Sequence, residues 1–163
     1  MADVAVIETN KVMMTDTYVE VGGVNLRCLC ESVTLEPENK PIETTTFCGV
    51  EEFPGPVKWH FKAKFIQSFG DGGTDAALSA ALEDYDSSGT RCAFKVRPFS
   101  ARAIAVDNPQ FEGDMIPQPY TVFGGDAGNA SEVEIDWIMS AAPTRNTTPD
   151  AGNGAQAEQA EAA

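Results

Sequence analysis

The chain has 163 residues, 42% of them hydrophobic, which is enough for one domain with a real core but not comfortably for two. Its formal net charge is −14, from 25 acidic and 11 basic residues. This balance argues against a nucleic-acid-binding protein, which needs a basic surface, and against a protein that binds anionic membranes. It suits a surface that must stay soluble or must repel DNA.

The cysteines predict no metal site and no disulfide framework. They are Cys28, Cys30, Cys48 and Cys92. Cys28 and Cys30 lie two apart in an alternating segment, so both are expected on one face of a strand. A second cysteine pair is missing and His60 is the single histidine, so the ligand spacing of a zinc site is absent and buried free thiols are expected.

The sequence also predicts where the protein folds. Residues 1–11 have no apolar run of the secretory type, and no apolar stretch of the chain reaches the length of a membrane span. Folding in a reducing cytoplasm, without a membrane partner, is therefore expected.

The first half of the chain predicts an arm, two strands and a long connection. Residues 1–17 hold two short apolar patches without a period, which fits either a frayed terminus or an arm that docks on a neighbour. Tyr18–Val21 runs into Gly22-Gly23, a hairpin signal, and a strand is predicted over Val24–Cys30.

Residues 36–56 are rich in proline, glycine and acid, and a connection of this length in a small domain is usually functional. Its apolar members are Phe47, Val50 and Phe53. Such side chains either pack back on their own domain or bind a partner. We expect the second outcome, with the three side chains docking on another subunit.

The middle of the chain gives the clearest strand and one helix. In Val57–Ile66, apolar and polar residues alternate at the period of a half-buried strand. After a glycine-rich turn, Thr74 is expected to cap a helix whose apolar residues recur at helical spacing as far as Tyr85, with Ser87-Ser88-Gly89 ending it.

Short strands are expected after the helix. They are predicted over residues 90–97, 101–106, 111–122 (bent by two prolines) and 133–139. From Pro143 the sequence loses its large apolar residues, so residues 144–163 are predicted to be a disordered tail and residues 18–143 the folded domain. The fold class is mainly β: a small antiparallel β-sandwich or barrel with one flanking α-helix.

Nothing in the sequence favours an enzyme or a bound cofactor. None of the common nucleophile, metalloprotease or nucleotide-binding motifs is present. Gly70–Thr74 leads into a helix N-terminus, where phosphate can bind, but it lacks the lysine of a phosphate-binding loop and a plain turn explains it. His60 lies among lysines and is expected to be solvated or at an interface.

Two charged strand faces stand out. One is basic and consists of Lys58, Lys62 and Lys64; the other is acidic and consists of Glu132, Glu134 and Asp136. If the two strands are neighbours, these faces are complementary cross-strand partners; otherwise they are separate solvated faces. We assign these six residues, with the three apolar residues of the long connection, to contacts between subunits.

In order along the chain, several segments resemble the major tail tube proteins of long-tailed bacteriophages. They are Thr45–Gly49, the strand Val57–Ile66, Gly73–Leu78 with its helix, Cys92–Pro98, Asn108–Gly113 and Glu132–Trp137. The resemblance covers about residues 18–143. One departure is Ser140-Ala141-Ala142-Pro143, where such chains often have a glycine before the proline.

The resemblance implies a structural virion protein of the phage tail, assembled in the host cytoplasm. Six copies would form a ring, their inner strands would join into one barrel, and rings would stack into a tube that passes DNA without binding it specifically. Its other partners would be the tape measure, tail tip and terminator proteins. Two alternatives stay open: an inner tube of a contractile tail or tail-like injection machine, and a monomeric β-barrel that binds a small ligand.

Overall fold

Alternating β-branched and aromatic residues make this chain fold largely as strands. The computed structural model describes residues 15–149, which contain ten strands and one helix. The strands are β1 (Tyr18–Val21), β2 (Val24–Asn25), β3 (Cys30–Asn39), β4 (Ile42–Thr46), β5 (Gly49–Phe53), β6 (Val57–Ile66), β7 (Cys92–Arg97), β8 (Gln110–Ile116), β9 (Glu132–Met139) and β10 (Thr144–Asn146). The helix is α1 (Thr74–Ser88), and it is neither long nor apolar enough to cross a membrane.

Eight strands form one antiparallel sheet in the order β2-β1-β7-β8-β9-β6-β3, with β10 also paired to β8. Strands β6 and β7 are three strand spacings apart along this path, about 14 Å in a flat sheet. The rings of Phe61 on β6 and Phe94 on β7 nevertheless lie 5.1 Å apart, centroid to centroid. The sheet therefore folds over on itself, and the predicted mainly antiparallel β class with one helix is confirmed.

The core lies between the two halves of the folded sheet, with α1 against it. Phe61, Phe65 and Trp137 are fully buried, as their phase on β6 and β9 predicts. The indole nitrogen of Trp137 donates to the Gln118 carbonyl at 3.0 Å, so its polar atom is satisfied. Trp59, on the same alternating face of β6, is only partly buried, because it lies near the open end of the folded sheet.

The helix begins one residue earlier than the sequence suggests. Gly73, not Thr74, is the N-cap, and the Thr74 hydroxyl instead donates to the Ile66 carbonyl at 2.8 Å, tying α1 to the end of β6. At the other end Gly89 is left-handed, with φ 70°, and its N–H bonds to the Tyr85 carbonyl, so the predicted stop is confirmed.

Two predicted strands are wrong, and side-chain hydrogen bonds explain both. The expected strand Val24–Cys30 ends at Asn25, whose side chain accepts from the Arg27 N–H at 3.1 Å and begins a turn. Cys28 therefore lies in a turn rather than on one strand face with Cys30.

The segment 101–106 is a loop built around the buried Asn108. The two N–H groups of the Asn108 side-chain amide are shared among three backbone carbonyls, those of Arg102 and Ala103 in this loop and that of Phe99 just before it. These bonds satisfy the backbone in place of a strand partner.

Two segments expected to be irregular contain strands. The connection 36–56 completes β3 and then forms the β4–β5 hairpin. Pro37 is tolerated because β3 is the last strand of the sheet, where proline removes no ladder bond on the free side. Thr144–Asn146 pairs with the first residues of β8, where β9 forms no pairs, and such backbone pairing needs no apolar side chain.

The folded part thus extends past residue 143, where the domain boundary was predicted. Most of the predicted arm, residues 1–14, and the end of the predicted tail, residues 150–163, lie outside the described residues.

Candidate assembly surfaces

The hairpin β4–β5 stands clear of the domain. All ten residues of its two strands are exposed, and Phe47 at its tip has a relative exposure of 113%. The Thr46 hydroxyl closes the tip by accepting from the Cys48 N–H at 3.3 Å and donating to the Gly49 carbonyl at 3.2 Å. In the isolated chain, therefore, Phe47 makes no contact with its own domain, and Ile42, Val50 and Phe53 are about half exposed.

The hairpin has little to stabilise it in isolation. A two-stranded hairpin without a packed face is marginal in water. Glu43 and Glu52 lie directly opposite each other, and like charges in that position are unfavourable. Among the described residues neither they nor Glu51 form an ion pair. Such a hairpin is better suited to contact another molecule than to remain exposed to solvent.

The base of the hairpin is held by a close backbone approach. A Cβ atom at Gly55 would lie 1.9 Å from the Lys40 carbonyl oxygen, so only glycine fits at this crossing. Lys40 also forms an ion pair with Glu38, near the end of β3, at 3.4 Å. The hairpin therefore leaves the sheet at a fixed point, where β3 ends and β6 begins.

The two charged faces predicted from the sequence lie on neighbouring strands. In the register of β6 and β9, Lys62 is opposite Asp136 and Lys64 is opposite Glu134. Strand β3 adds carboxylates on the other side of β6, where Glu36 is opposite His60. The basic strand thus lies between two acidic strands, and the complementarity expected between the faces is confirmed within one chain.

The ion pairs on this face run diagonally between strands. Lys64 contacts Glu132 at 2.5 Å and Glu31 at 3.4 Å, and Lys62 contacts Glu36. A hydrogen bond from each lysine to its carboxylate partner, Glu36 for Lys62 and Glu132 for Lys64, raises the lysine's pKa above its usual value. Pairing within the chain does not test the assignment of these residues to subunit contacts, so that assignment stays a prediction. The assignment of Lys58 and Glu134 also stays a prediction; these two residues form no ion pair among residues 15–149.

His60 is bracketed by carboxylates from both neighbouring strands. Its Nδ1 lies 2.7 Å from Asp136 Oδ1, and its Nε2 lies 3.1 Å from Glu38 Oε2. Its side chain is only 14% exposed. This histidine, expected to be solvated or at an interface, is therefore mostly enclosed by its neighbours on the sheet, next to the base of the hairpin.

A second apolar surface lies at the opposite end of β6 and was missed from the sequence. Phe69 is 60% exposed and Phe123 is 78% exposed, with Val122 beside it. The Gln67 side-chain amide donates to the Val122 carbonyl at 2.8 Å, which brings the loop before β9 to the end of β6. An aromatic residue within each of two glycine-rich turns was the available signal, but only the fold brings the two turns together.

An apolar groove of about 450 Å³ opens between the two halves of the sheet. Its lining includes Leu35 and Trp59 on one side and Val96, Pro98 and Phe111 on the other. None of the residues that line the groove is charged, so it suits apolar contacts more than catalysis.

The thiols fall into two exposed and two enclosed positions. Cys28 and Cys48 are exposed, whereas Cys92 is buried and Cys30 is intermediate. Burial raises the pKa of both Cys30 and Cys92 to about 11, so these two thiols stay protonated at neutral pH. The described residues hold no group of histidine, cysteine, aspartate or glutamate side chains arranged to bind a metal ion.

No family model and no curated protein matches this chain. A search of solved structures finds a chain in the virion of a native gene transfer agent particle, with 11% sequence identity and a TM-score of 0.45. The match covers 72% of this chain and 85% of the other. This identity and score are too low for the role of that chain to be transferred to this one.

Proposed function

We propose that this protein is a structural protein of a phage virion that assembles as stacked hexameric rings into the tube of a tail. The observation that carries the proposal is the β4–β5 hairpin, which projects from the domain with every strand residue exposed and with large apolar side chains on it. Exposed apolar surface of this kind marks a site of protein contact. The order of the tail-tube-like segments along the chain supports the same role.

The ends of the sheet support lateral assembly. β3 is a long terminal strand with one free edge, and β2 ends the sheet on the other side. Free edges of this length are aggregation-prone unless they are covered or paired. Joining the edges of neighbouring copies into a closed ring removes them, as barrel closure does within a single chain.

The charge of the protein fits a conduit for DNA. A net charge of −14 leaves a surface that repels phosphates, so a nucleic acid could move past it without being held. In this proposal, DNA passes through the tube and is not bound specifically. The tape measure, tail tip and terminator proteins are the partners expected at the ends of such a tube, in the virion.

A second candidate is a monomeric protein that binds a small apolar ligand. The apolar groove beside Trp59 favours it, since its volume is in the range of small-molecule sites. It leaves the exposed hairpin without a role.

Sedimentation velocity of the purified chain over a range of concentrations separates the two candidates. The proposed function predicts rings or longer polymers for the wild-type chain. It predicts single rings that no longer stack when residues 41–55 are replaced by a short Gly-Ser bridge. Val106→Ser is a matched control, because Val106 is 75% exposed but lies outside the hairpin. A wild-type chain that stays monomeric at every concentration would favour the ligand-binding candidate.

A further inference from the structure

The exposed large apolar side chains are concentrated in two patches. The described residues contain nine of them, and eight lie in one patch or the other, Val106 being the ninth. What we call the head patch is the β4–β5 hairpin with its base, which carries Ile42, Phe47, Val50, Phe53 and Val57 on both of its faces, and the tail patch comprises Phe69, Val122 and Phe123. Chance scatter of exposed apolar residues over a surface needs no explanation, but two patches of this kind do.

The two patches lie at opposite ends of the same strand. β6 begins at Val57, in the head patch, and ends at Ile66, a length of about 33 Å for ten residues. Phe69 follows three residues after that end, and the Gln67–Val122 hydrogen bond holds the other part of the tail patch there. The Ser131 hydroxyl donates to the Gly124 carbonyl at 2.5 Å and fixes the same loop.

We infer that the tail patch is the receiving site for the hairpin tip of a second copy of this chain. Phe47 and Val50 of one copy would pack on Phe69, Val122 and Phe123 of the next. This inference rests on the proposed function and names the partner surface of the hairpin. Because the patches are different surfaces at opposite ends of β6, the contact is heterologous, and where its rotation does not close it generates a filament, as stacking requires.

The size of the contact explains why it needs a ring. An aromatic side chain buries about 150–250 Å². With two partly exposed aromatic rings on the tail patch, one contact buries several hundred Å², well below the roughly 1,200 Å² of a stable pair. A single head-to-tail contact is therefore weak, and copies already joined in a ring make it several times at once.

The charges near the two patches predict a salt effect. Glu51 and Glu52 on the hairpin, and Asp71 and Asp126 in the turns around the tail patch, carry the same sign. Their repulsion falls as salt screens it, over about 10 Å at 0.1 M and less at higher concentration. Head-to-tail stacking should therefore be favoured by raising NaCl, the opposite of what a contact between unlike charges would show.

Single substitutions test the two patches separately. Phe47→Ser and Phe123→Ser should each raise the concentration needed for stacking about tenfold or more, since each removes a ring from the contact. Val106→Ser should leave that concentration unchanged. Thermal unfolding of each variant verifies that the domain is intact. Normal stacking by folded Phe123→Ser would overturn the inference while leaving the proposed function in place.

A disulfide test locates the hairpin tip directly. Cys48 is exposed beside Phe47, and a side chain at Gly124 meets only the Thr121 methyl at 3.5 Å, so Gly124→Cys is tolerated. In a Cys28→Ser, Cys30→Ser background, mild oxidation of Gly124→Cys should give a ladder of covalent oligomers, because each copy has one head and one tail. Val106→Cys is the matched control and should give no ladder.

Two results would contradict the inference. A ladder from Pro98→Cys but not from Gly124→Cys would place the tip in the apolar groove instead. No ladder from any position, with wild-type tubes still forming, would show that the hairpin docks elsewhere. Separately, a wild-type chain that forms no tubes would remove the proposed function as well.

Discussion

At the scale of single residues, burial separates the two tryptophans more sharply than their shared pattern suggests. Trp137 is fully enclosed and its indole nitrogen is bonded, whereas Trp59 lines the open groove. The alternation of apolar and polar residues in each strand was enough to predict that each tryptophan lies on the apolar face of its strand. Where the groove opens depends on how the sheet folds over, and local sequence does not contain that information.

Trp137→Ala should lower the free energy of unfolding by roughly 3–5 kcal/mol, since it leaves a cavity in the core. Trp59→Ala should cost distinctly less, because the groove already exposes that ring. Chemical denaturation of both variants measures the difference. Equal losses would show that the groove is closed in solution.

The enclosed thiols predict instability at alkaline pH. The pKa of Cys92 is about 11 in the folded chain and near 9 when unfolded, so the folded state holds its proton more tightly. The contribution of this thiol is complete below about pH 9 and is lost as pH rises towards 11, by up to about 2–3 kcal/mol. Denaturation at pH 8 and pH 11 should show this loss in the wild type and a smaller one in Cys92→Ala. An identical loss in both would assign the effect to other groups.

At the scale of secondary-structure elements, we expect the domain to stay stable without the β4–β5 hairpin but to lose stability without β10. Sequence pattern located β6, β7, β9 and α1, because each has a strong period. It missed β4, β5 and β10, because their stability comes from backbone pairing and not from an apolar face. The same reason hid the tail patch, which exists only when two turns meet.

Replacing residues 41–55 by a Gly-Ser bridge should change the free energy of unfolding by no more than about 1 kcal/mol, because every residue of the two strands removed is exposed. Circular dichroism and thermal unfolding measure this. A large loss of stability would mean that the hairpin packs on the domain in solution.

Truncation after Pro149 should leave stability unchanged, whereas truncation after Pro143 should reduce it by about 1–2 kcal/mol. The shorter chain loses β10 and leaves the backbone groups of Gln110–Glu112 without those partners. Denaturation curves for the two truncated chains, measured together, test the strand. Equal stability would show that β10 contributes nothing in solution.

At the scale of the whole molecule, fold, charge and exposed surface point to assembly. Free sheet edges suit lateral joining, the head and tail patches suit stacking, and the acidic surface suits passage of DNA. The sequence predicted the class of fold, whereas the role of the hairpin region in subunit contacts stays a prediction. It could not predict the arrangement of patches, which depends on long-range contacts.

Negative-stain imaging of the concentrated wild-type chain tests the central claim most directly. The account predicts hollow tubes, with six-fold symmetric rings in end views and a regular axial repeat in side views. A field of single small particles at every concentration and salt condition, or filaments without a lumen, would contradict it.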